Sequence, residues 1–319
     1  MKKPAKILLY VTVVIVSIIF LIVLLFGHRD IPLEKLKSKY APPPSLFMPL
    51  DGMEVHYRDE GNVNAPVSIV LIHGTASSLH TFDAWTAQLK RNYRVVRMDL
   101  PGYGLTGPFP DGNYAMDHYV SFLRNFLDTL GIETCVLAGN SLGGAIAWRF
   151  ALAHPDRVDK LVLIDAAGYP SESQSVPIAF RIARWRGINR IFTFITPRFL
   201  ARSSLKNVYA DKSKATKELV DRYFELSLRK GNRQAYLDRM GLKRDPNVHK
   251  KINTILQPTL ILWGEEDQLI PVENAYRFQH DLPNDTLVIL ENAGHVPMEE
   301  NPSQSFEALL KFLSVTGNR

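Results

Sequence analysis

The amino-acid sequence predicts an α/β protein with a doubly wound, mostly parallel sheet, an α-helical cap inserted into it, and a transmembrane helix at the N-terminus. Three observations predict this class. An uncharged run lies near the N-terminus, short β-branched runs alternate with helical patterns from about residue 51, and residues 168–252 show helical patterns without a convincing strand pair. Strand–helix alternation is typical of a parallel sheet with helices on both faces.

The N-terminal run Ile7–Phe26 has 20 uncharged residues and is dominated by Ile, Val and Leu. A helix of this length, rising about 1.5 Å per residue, matches the thickness of the hydrocarbon core of a bilayer. A cleaved signal peptide has an apolar region of about 7–15 residues and a small-residue cleavage site. This run is longer and is not followed by an Ala-x-Ala pattern. We therefore expect residues 1–30 to be an uncleaved, single-pass membrane anchor.

The orientation of this anchor depends on the charges beside it. Lys2, Lys3 and Lys6 precede the run, and basic residues also follow it, so the positive-inside rule gives nearly equal weight to both orientations. A short basic tail before a single early helix usually stays in the cytoplasm. The expectation is that the rest of the chain lies on the extracytoplasmic side.

The remainder of the chain divides into a linker, a core and a cap. Residues 31–50 are predicted to be a linker, in which the three prolines at 42–44 favour an extended, stiff spacer that lifts the core off the membrane. The core is expected to comprise residues 51–167 and 253–319. Residues 168–252 would form the helical cap over one end of the sheet.

Most of the predicted strands are continuous apolar runs, as expected where both faces of a parallel sheet are covered. Strands are predicted at Ser68–Ile72, Val95–Asp99, Val136–Gly139, Val158–Ile164, Pro258–Trp263 and Thr286–Leu290. Core helices are predicted at Thr81–Arg91, Met116–Leu130, Leu142–Ala153, Val272–Asp281 and Pro302–Leu313. Cap helices are predicted at Ile178–Arg186 and Lys214–Arg229.

Composition limits the chemistry that the chain can carry. Its 319 residues, 46% of them hydrophobic, are ample for one large core with an insertion. The single cysteine, Cys135, excludes an intramolecular disulfide and lies in an apolar run. Neither a Cys/His ligand cluster nor a phosphate-binding loop is present, so we expect no metal and no cofactor. The formal net charge of +6 is mild, and no nucleic-acid partner is expected.

The basic residues are concentrated in the predicted cap. Residues 168–252 contain 19 Lys and Arg against 7 Asp and Glu, so the rest of the chain is net acidic. Solvated helix faces are one interpretation of this charge. The other is that the cap contacts an anionic membrane surface.

The run Gly139–Gly143, Gly-Asn-Ser-Leu-Gly, matches the G-x-S-x-G pattern of a nucleophile elbow. It follows an apolar strand and opens a helical pattern, which is the context that an elbow requires. A sharp strand-to-helix turn would project the Ser141 hydroxyl above the sheet edge and leave the Leu142 N–H unpaired at a helix N-terminus, where an anion is favoured. A second donor for such an oxyanion is expected at Thr75, after the His73-Gly74 turn.

A neutral serine needs a nearby base, and His295 is the candidate because it lies in a Gly-containing loop after the last predicted strand. Asp267, in the Gly-Glu-Glu-Asp turn after the preceding strand, is expected to orient it. Asp165, at the end of another strand, competes for that role. The resulting chain order is Ser141, Asp267, His295.

These motifs together resemble the α/β-hydrolase superfamily from about residue 51 to the end. The resemblance rests on the His-Gly-Thr turn at 73–75, the run at 99–104, the Ser141 elbow, the acidic turn at 264–267 and the Gly-His pair at 294–295. Haloalkane dehalogenases and epoxide hydrolases of the superfamily carry an aspartate at the elbow, so Ser141 disfavours both activities. The run Gly139–Gly144 is also similar to C–C bond hydrolases of aromatic ring-cleavage products, and to bacterial lipases and esterases.

Carboxylic-ester hydrolysis through an acyl-enzyme on Ser141 is the leading functional hypothesis. Hydrolysis of a C–C bond in vinylogous diketo acids is the enzymatic alternative, and it would need a cationic group to hold the substrate carboxylate. A catalytically inactive, membrane-bound binding module is the third. The expected partners are a small-molecule or lipid-like ester and the membrane; no oligomeric state is predicted.

Overall fold

The computed structural model describes residues 3–170, 173–183, 189–242 and 245–315. Its eight strands are β1 Leu46–Leu50, β2 Met53–Glu60, β3 Ser68–Ile72, β4 Arg94–Met98, β5 Cys135–Asn140, β6 Val158–Ile164, β7 Thr259–Gly264 and β8 Asp285–Leu290. Its α-helices are α1 Lys3–Phe26, α2 Leu33–Tyr40, α3 Asp83–Leu89, α4 Met116–Thr129, α5 Leu142–Ala153, α6 Ile178–Ala183, α7 Arg198–Val208, α8 Lys217–Ser227, α9 Asn232–Met240, α10 Glu273–Asp281, α11 Pro297–Glu300 and α12 Pro302–Ser314.

All eight strands form one sheet in the order β1-β2-β4-β3-β5-β6-β7-β8. Strands β3 to β8 run parallel to one another, whereas β1 and β2 add an antiparallel edge beside β4. Every residue of β5 and β7 is buried, as expected for strands with helices on both faces. The prediction of a mostly parallel, doubly wound sheet is confirmed, and each of the six predicted strands is found within about one residue of its predicted ends.

Strands β1 and β2 were not predicted. Strand β1 includes Pro49, and β2 carries five charged or imidazole side chains, so neither has the apolar run by which the parallel strands were recognised. Proline is tolerated in β1 because one side of this edge strand has no partner. The charged side chains of β2 are instead paired, for example Glu60 with Arg97 of β4 at 2.8 Å. The sheet therefore begins inside the predicted linker 31–50.

The predicted linker is packed against the protein. Helix α2 buries Leu36 and Tyr40, and Lys39 and the Tyr40 hydroxyl both bond Glu225 of α8 at 2.8 Å. The prolines at 42–44 make a short turn between α2 and β1. The expectation of a stiff spacer that lifts the core off the membrane is therefore wrong, because the apolar side of α2 gains more by burial than an extended segment would.

The region between β6 and β7 forms the predicted helical cap. Its described residues contain α6 to α9 and several 3₁₀ turns but no strand. The predicted helix Lys214–Arg229 is found as α8, which starts where the Thr216 side chain accepts from the Leu219 N–H. The predicted helix Ile178–Arg186 is found as α6, with residues 184–186 outside the described part of the chain.

Helix α1 is apolar and its described side chains are exposed. Residues Lys6–Phe26 are long and apolar enough to cross a membrane by length and composition, a test that an N-terminal signal sequence also passes. The end of the helix is joined to the cap by two backbone hydrogen bonds, which together form one β-bridge. Gly27 pairs with Ile195 in an antiparallel bridge, the His28 N–H donates to the Phe194 carbonyl (3.0 Å), and the Thr196 N–H donates to the Phe26 carbonyl (3.1 Å).

Candidate active site

Ser141 occupies the sharp turn between β5 and α5 that its motif predicts. Its backbone has φ 55° and ψ −111°, in the region that non-glycine residues rarely adopt. A Cβ on Gly139 would lie 2.3 Å from the Gly143 carbonyl carbon, and a Cβ on Gly143 would lie 2.1 Å from the Ile72 carbonyl oxygen. The turn is thus possible only with glycine at both positions, and it sets the serine at the carboxyl end of the sheet.

Asp267 and His295 form a buried hydrogen-bonded pair. The distance from His295 Nδ1 to Asp267 Oδ2 is 2.6 Å. The other carboxylate oxygen of Asp267 accepts from the Leu269 and Ile270 N–H groups at 2.8 and 3.0 Å. Because the carboxylate is an acceptor on all sides, His295 Nδ1 carries the proton of this bond and Nε2 is left as the acceptor. That is the tautomer a general base requires.

Asp165, the competing acid, has a different environment. It is fully buried, and its Oδ1 accepts from the Gly264 N–H at 2.9 Å. Burial and the neighbouring Asp267 carboxylate raise the pKa of Asp165 well above its usual range. The raised pKa favours the neutral form of Asp165, and the contacts of Asp165 do not include His295.

Asp165, Asp267 and His295 each offer one side-chain atom that could bind a metal ion. These three atoms lie within 4.8 Å of one another, a spacing that also suits a bound cation. A cation would have to compete with the Asp267–His295 hydrogen bond, because both facing atoms are already engaged with each other. A neutral Asp165 is a poor metal ligand. The donor set therefore fits a hydrogen-bonded acid–base pair better than it fits a metal site.

The two predicted oxyanion donors lie on either side of Ser141. Leu142 is the first residue of α5, so its N–H has no acceptor within the helix. Thr75 follows the turn after β3, and a Cβ on Gly74 would lie 3.1 Å from Ser141 Cβ, so the backbone of this turn passes directly beside the serine. Thr75, Ser141 and His295 all line one pocket.

The contacts of His73 are those of a structural residue. Its Nε2 accepts from the Leu100 N–H at 2.9 Å, and its Nδ1 donates to the Gly74 carbonyl at 2.7 Å. Burial lowers the pKa of His73, which favours the neutral ring. A neutral ring has one N–H donor and one acceptor nitrogen, and these match the two hydrogen bonds. It holds the turn that carries Thr75.

The pocket above Ser141 is closed by the cap. Its cap-side wall is mostly apolar and includes Phe180, Ile182, Phe192, Leu200, Leu205 and Phe224. Among the described lining residues, Arg233 is the one carrying a permanent charge. Its guanidinium donates to the His28 carbonyl (3.0 Å), the Thr196 hydroxyl (3.1 Å) and the Asp30 carboxylate (2.7 Å). The pocket therefore extends from the serine to the joint between α1 and the cap.

Sequence reasoning missed three residues that hold the site. The Asn140 side chain donates to the His295 carbonyl at 2.9 Å. Tyr223, on α8, places its hydroxyl 3.1 Å from Ser77 Oγ in the loop after β3. Glu300 accepts from the Gly294 N–H at 2.8 Å. Asn140 lies inside the elbow motif and could have been noticed there, whereas the contacts of Tyr223 and Glu300 depend on how the cap docks.

Comparison with known proteins gives a consistent family. Residues 67–302 match the family model described as alpha/beta hydrolase fold. A 2-hydroxy-6-oxononadienedioate/2-hydroxy-6-oxononatrienedioate hydrolase of Paraburkholderia phymatum is 31% identical over 273 residues, which is 82% of this chain and 91% of that protein.

Two solved structures represent the range of similar proteins. A meta-cleavage product hydrolase from Pseudomonas fluorescens superposes with a TM-score of 0.70 at 25% identity, covering 84% of this chain and 96% of that one. A membrane phospholipase A, described as a bacterial virulence factor, superposes with a TM-score of 0.74 at 25% identity and covers 100% of both chains. The second alignment therefore includes the N-terminal helix.

Proposed function

The chain belongs to the α/β-hydrolase family, and from that premise we propose that it is a membrane-anchored serine esterase that cleaves long-chain acyl esters. The observation that carries the proposal is the apolar pocket that joins Ser141 to the cap. Walls that are mostly apolar suit an aliphatic chain, and Arg233, the one permanent charge among the described lining residues, is paired with Asp30.

The proposed reaction uses the five predicted residues. His295 Nε2 takes the Ser141 hydroxyl proton as Oγ bonds the acyl carbon, and the Thr75 and Leu142 N–H groups stabilise the oxyanion. The intermediate then releases the alcohol, which leaves with the proton from His295. Water adds to the acyl-enzyme in the same way, and Ser141 recovers its proton as the free acid departs. Asp267 stabilises the imidazolium in both halves.

Hydrolysis of a C–C bond is the second candidate, because the Paraburkholderia phymatum relative is named for a dicarboxylate substrate. A cation in the pocket would be needed to hold such a carboxylate. Arg233 lines the pocket, but Asp30 neutralises its charge at 2.7 Å and two further acceptors occupy it. This pairing favours an uncharged acyl chain. The intact Asp267–His295 pair likewise disfavours an inactive binding module.

The proposal includes the membrane. We propose that α1 crosses the bilayer, with the hydrolase on the extracytoplasmic side, and that the cap contacts the lipid surface. Ile191, Phe194 and Phe199, here called the apolar rim, are 50%, 73% and 56% exposed. The rim adjoins the end of α1, since the Phe199 and Phe26 rings are 6.0 Å apart. Exposed aromatic residues at this level suit a membrane interface, and the basic cap suits anionic lipid.

A substrate panel tests the proposed reaction. The full chain in detergent is assayed with p-nitrophenyl esters of increasing chain length and with a vinylogous diketo acid. We expect turnover of the esters, with kcat/KM rising with chain length, and little turnover of the diketo acid. Rapid cleavage of the diketo acid together with inert esters would reverse the choice between the two reactions. No turnover of either, with no labelling of Ser141 by a fluorophosphonate, would support the inactive module.

A further inference from the structure

Two adjacent carboxylates connect the cap to both halves of the candidate site. Glu299 and Glu300 end the short helix α11, directly after the loop that carries His295. Neither lines the pocket, so neither touches a substrate bound there. Their contacts instead join elements that are distant in the sequence.

Glu300 is 3% exposed and accepts three backbone N–H groups. Gly294, beside the candidate base, donates to Oε2 at 2.8 Å. The other two donors belong to the cap: Ala210 donates to Oε2 at 3.2 Å and Asp211 donates to Oε1 at 2.7 Å. A buried carboxylate is costly unless such donors compensate its charge. Moving the cap segment away would remove two of the three donors.

The backbone of the same cap segment is bonded to the histidine itself. The His295 N–H donates to the Val208 carbonyl at 2.8 Å. A Cβ on Gly294 would lie 2.5 Å from that carbonyl oxygen and 2.7 Å from the Ala210 nitrogen. The segment 208–211 and the His295 loop are therefore in contact so close that only glycine fits between them.

Glu299 makes the corresponding link on the other side of the site. It accepts from the Tyr223 hydroxyl at 2.8 Å and pairs with Arg222, both on α8. The Tyr223 hydroxyl also lies 3.1 Å from Ser77 Oγ, in the loop that carries Thr75. Burial and the Glu299 carboxylate raise the pKa of Tyr223, so its hydroxyl keeps its proton and remains a donor. The cap thus contacts the oxyanion loop through the same short helix.

We propose that Glu300 is a positioning residue for His295, acting through the cap segment 208–211, so that seating of the cap and alignment of the catalytic base are one event. This rests on the proposed catalytic role of His295. The physical reason is that a loop histidine reaches the serine only if its backbone is held in place. The cap holds this loop in two ways, by the hydrogen bond from the His295 N–H to the Val208 carbonyl and by the close packing of Ala210 against Gly294. Misplacement of a catalytic group by about 1 Å can cost on the order of 100-fold in rate.

Glu300→Gln tests the proposal in the full chain. The amide keeps the size of the side chain but turns one acceptor into a donor that faces an N–H group. We expect kcat for p-nitrophenyl butyrate, per active site titrated with a fluorophosphonate, to fall at least tenfold while KM changes less than twofold. Glu300→Asp keeps the charge but is one methylene shorter. Its kcat should lie between that of Glu300→Gln and that of the wild type. The matched control, Glu307→Gln on the exposed side of α12, should match wild type.

Titration separates the possible failures. Because kcat is counted per labelled Ser141, a variant that folds poorly loses sites rather than turnover per site. Wild-type kcat per site in both Glu300 variants would overturn the proposal. A rise in KM as large as the fall in kcat would also overturn it, since that pattern places Glu300 in substrate binding. Absence of labelling in the wild-type protein would instead refute the proposed function itself.

Discussion

The two walls of the pocket are built differently. On the core side, Ser141 and Asp267 follow the fully buried strands β5 and β7, and His295 follows β8 and is hydrogen-bonded to Asp267. On the cap side, short helices and 3₁₀ turns present apolar side chains, with Leu200 and Phe224 among them. On the proposed function, we expect the core wall to set which bond is broken and the cap wall to set which acyl chain and which surface are recognised.

This division has consequences that can be measured. Changes to the core wall should lower turnover of every ester, because all of them use the same serine. Changes to the cap wall should leave short soluble esters nearly unaffected and alter the response to chain length or to a membrane. A core change that acts only on long chains, or a cap change that abolishes all turnover without touching Glu300 or its partners, would break the distinction.

The largest effect is expected for Ser141→Ala. Removing the nucleophile of such a unit costs about a million-fold in kcat, while a smaller side chain at a buried turn should leave the fold intact. Ester turnover and fluorophosphonate labelling, with circular dichroism as the folding check, measure this. If the variant still takes up the probe, another residue is the nucleophile.

Asp267→Asn should cost on the order of 10⁴ in kcat, by analogy with removal of a triad acid, because the wrong tautomer of His295 becomes favoured. Its matched control is Asp165→Asn. Since burial raises the pKa of Asp165 and so favours its neutral form, an amide preserves its acceptor for the Gly264 N–H, and turnover should fall far less. The opposite ranking would make Asp165 the functional acid.

Asp165→Asn should also change how the stability of the protein depends on pH. The pKa of Asp165 is raised in the folded chain, so the unfolded chain binds fewer protons once the pH exceeds the unfolded value of about 3.9. The free energy of unfolding should therefore fall as pH rises above that value, until the folded group also ionises. Asp165→Asn removes this contribution. Melting temperatures from pH 4 to 8 should decline less in the variant than in wild type, and identical slopes would contradict the assignment.

The apolar rim should matter only when the substrate is in a membrane. Replacing both Phe194 and Phe199 by serine in the full chain should lower hydrolysis of a long-chain acyl ester held in vesicles at least tenfold, since burying one such side chain contributes roughly 1.5–3 kcal/mol. Turnover of p-nitrophenyl butyrate should not change. Leu256→Ser is the matched control, because Leu256 is 72% exposed and precedes β7, at the amino end of the parallel strands, whereas Ser141 lies at their carboxyl end. An equal loss of vesicle hydrolysis in the control would contradict a specific role of the apolar rim at the membrane.

The charge of the cap predicts a smaller effect on the same vesicles. Phosphatidylglycerol should increase the rate relative to neutral lipid, and salt should reduce the increase, because each Lys or Arg near an anionic surface contributes about 1 kcal/mol and is screened within a Debye length. Equal rates on both vesicle types would favour the other interpretation, in which the 19 basic residues of the cap lie on solvated helix faces.

The parts that the sequence predicted well are those set by short-range patterns. The parallel strands were recognisable because burial on both faces demands apolar runs, and the Ser141 turn because its geometry demands glycine at 139 and 143. Strands β1 and β2 were missed because the edge strand β1 tolerates a proline and because the charged residues of β2 find partners only in the folded chain. The contacts of Glu300 with residues 210 and 211 could not be predicted, since nothing local encodes how the cap docks on the core.

The division between the two walls is tested most directly by filling the cap end of the pocket. Leu200 is buried and lines that end, so Leu200→Trp should shorten the space for an acyl chain without reaching Ser141. The measurement is kcat/KM for p-nitrophenyl esters from butyrate to palmitate in wild type and variant. We expect the long-chain esters to lose about tenfold or more, while the butyrate value stays within twofold of wild type. An equal loss at every chain length, or no loss at palmitate, would contradict the assignment of the cap wall to acyl-chain recognition.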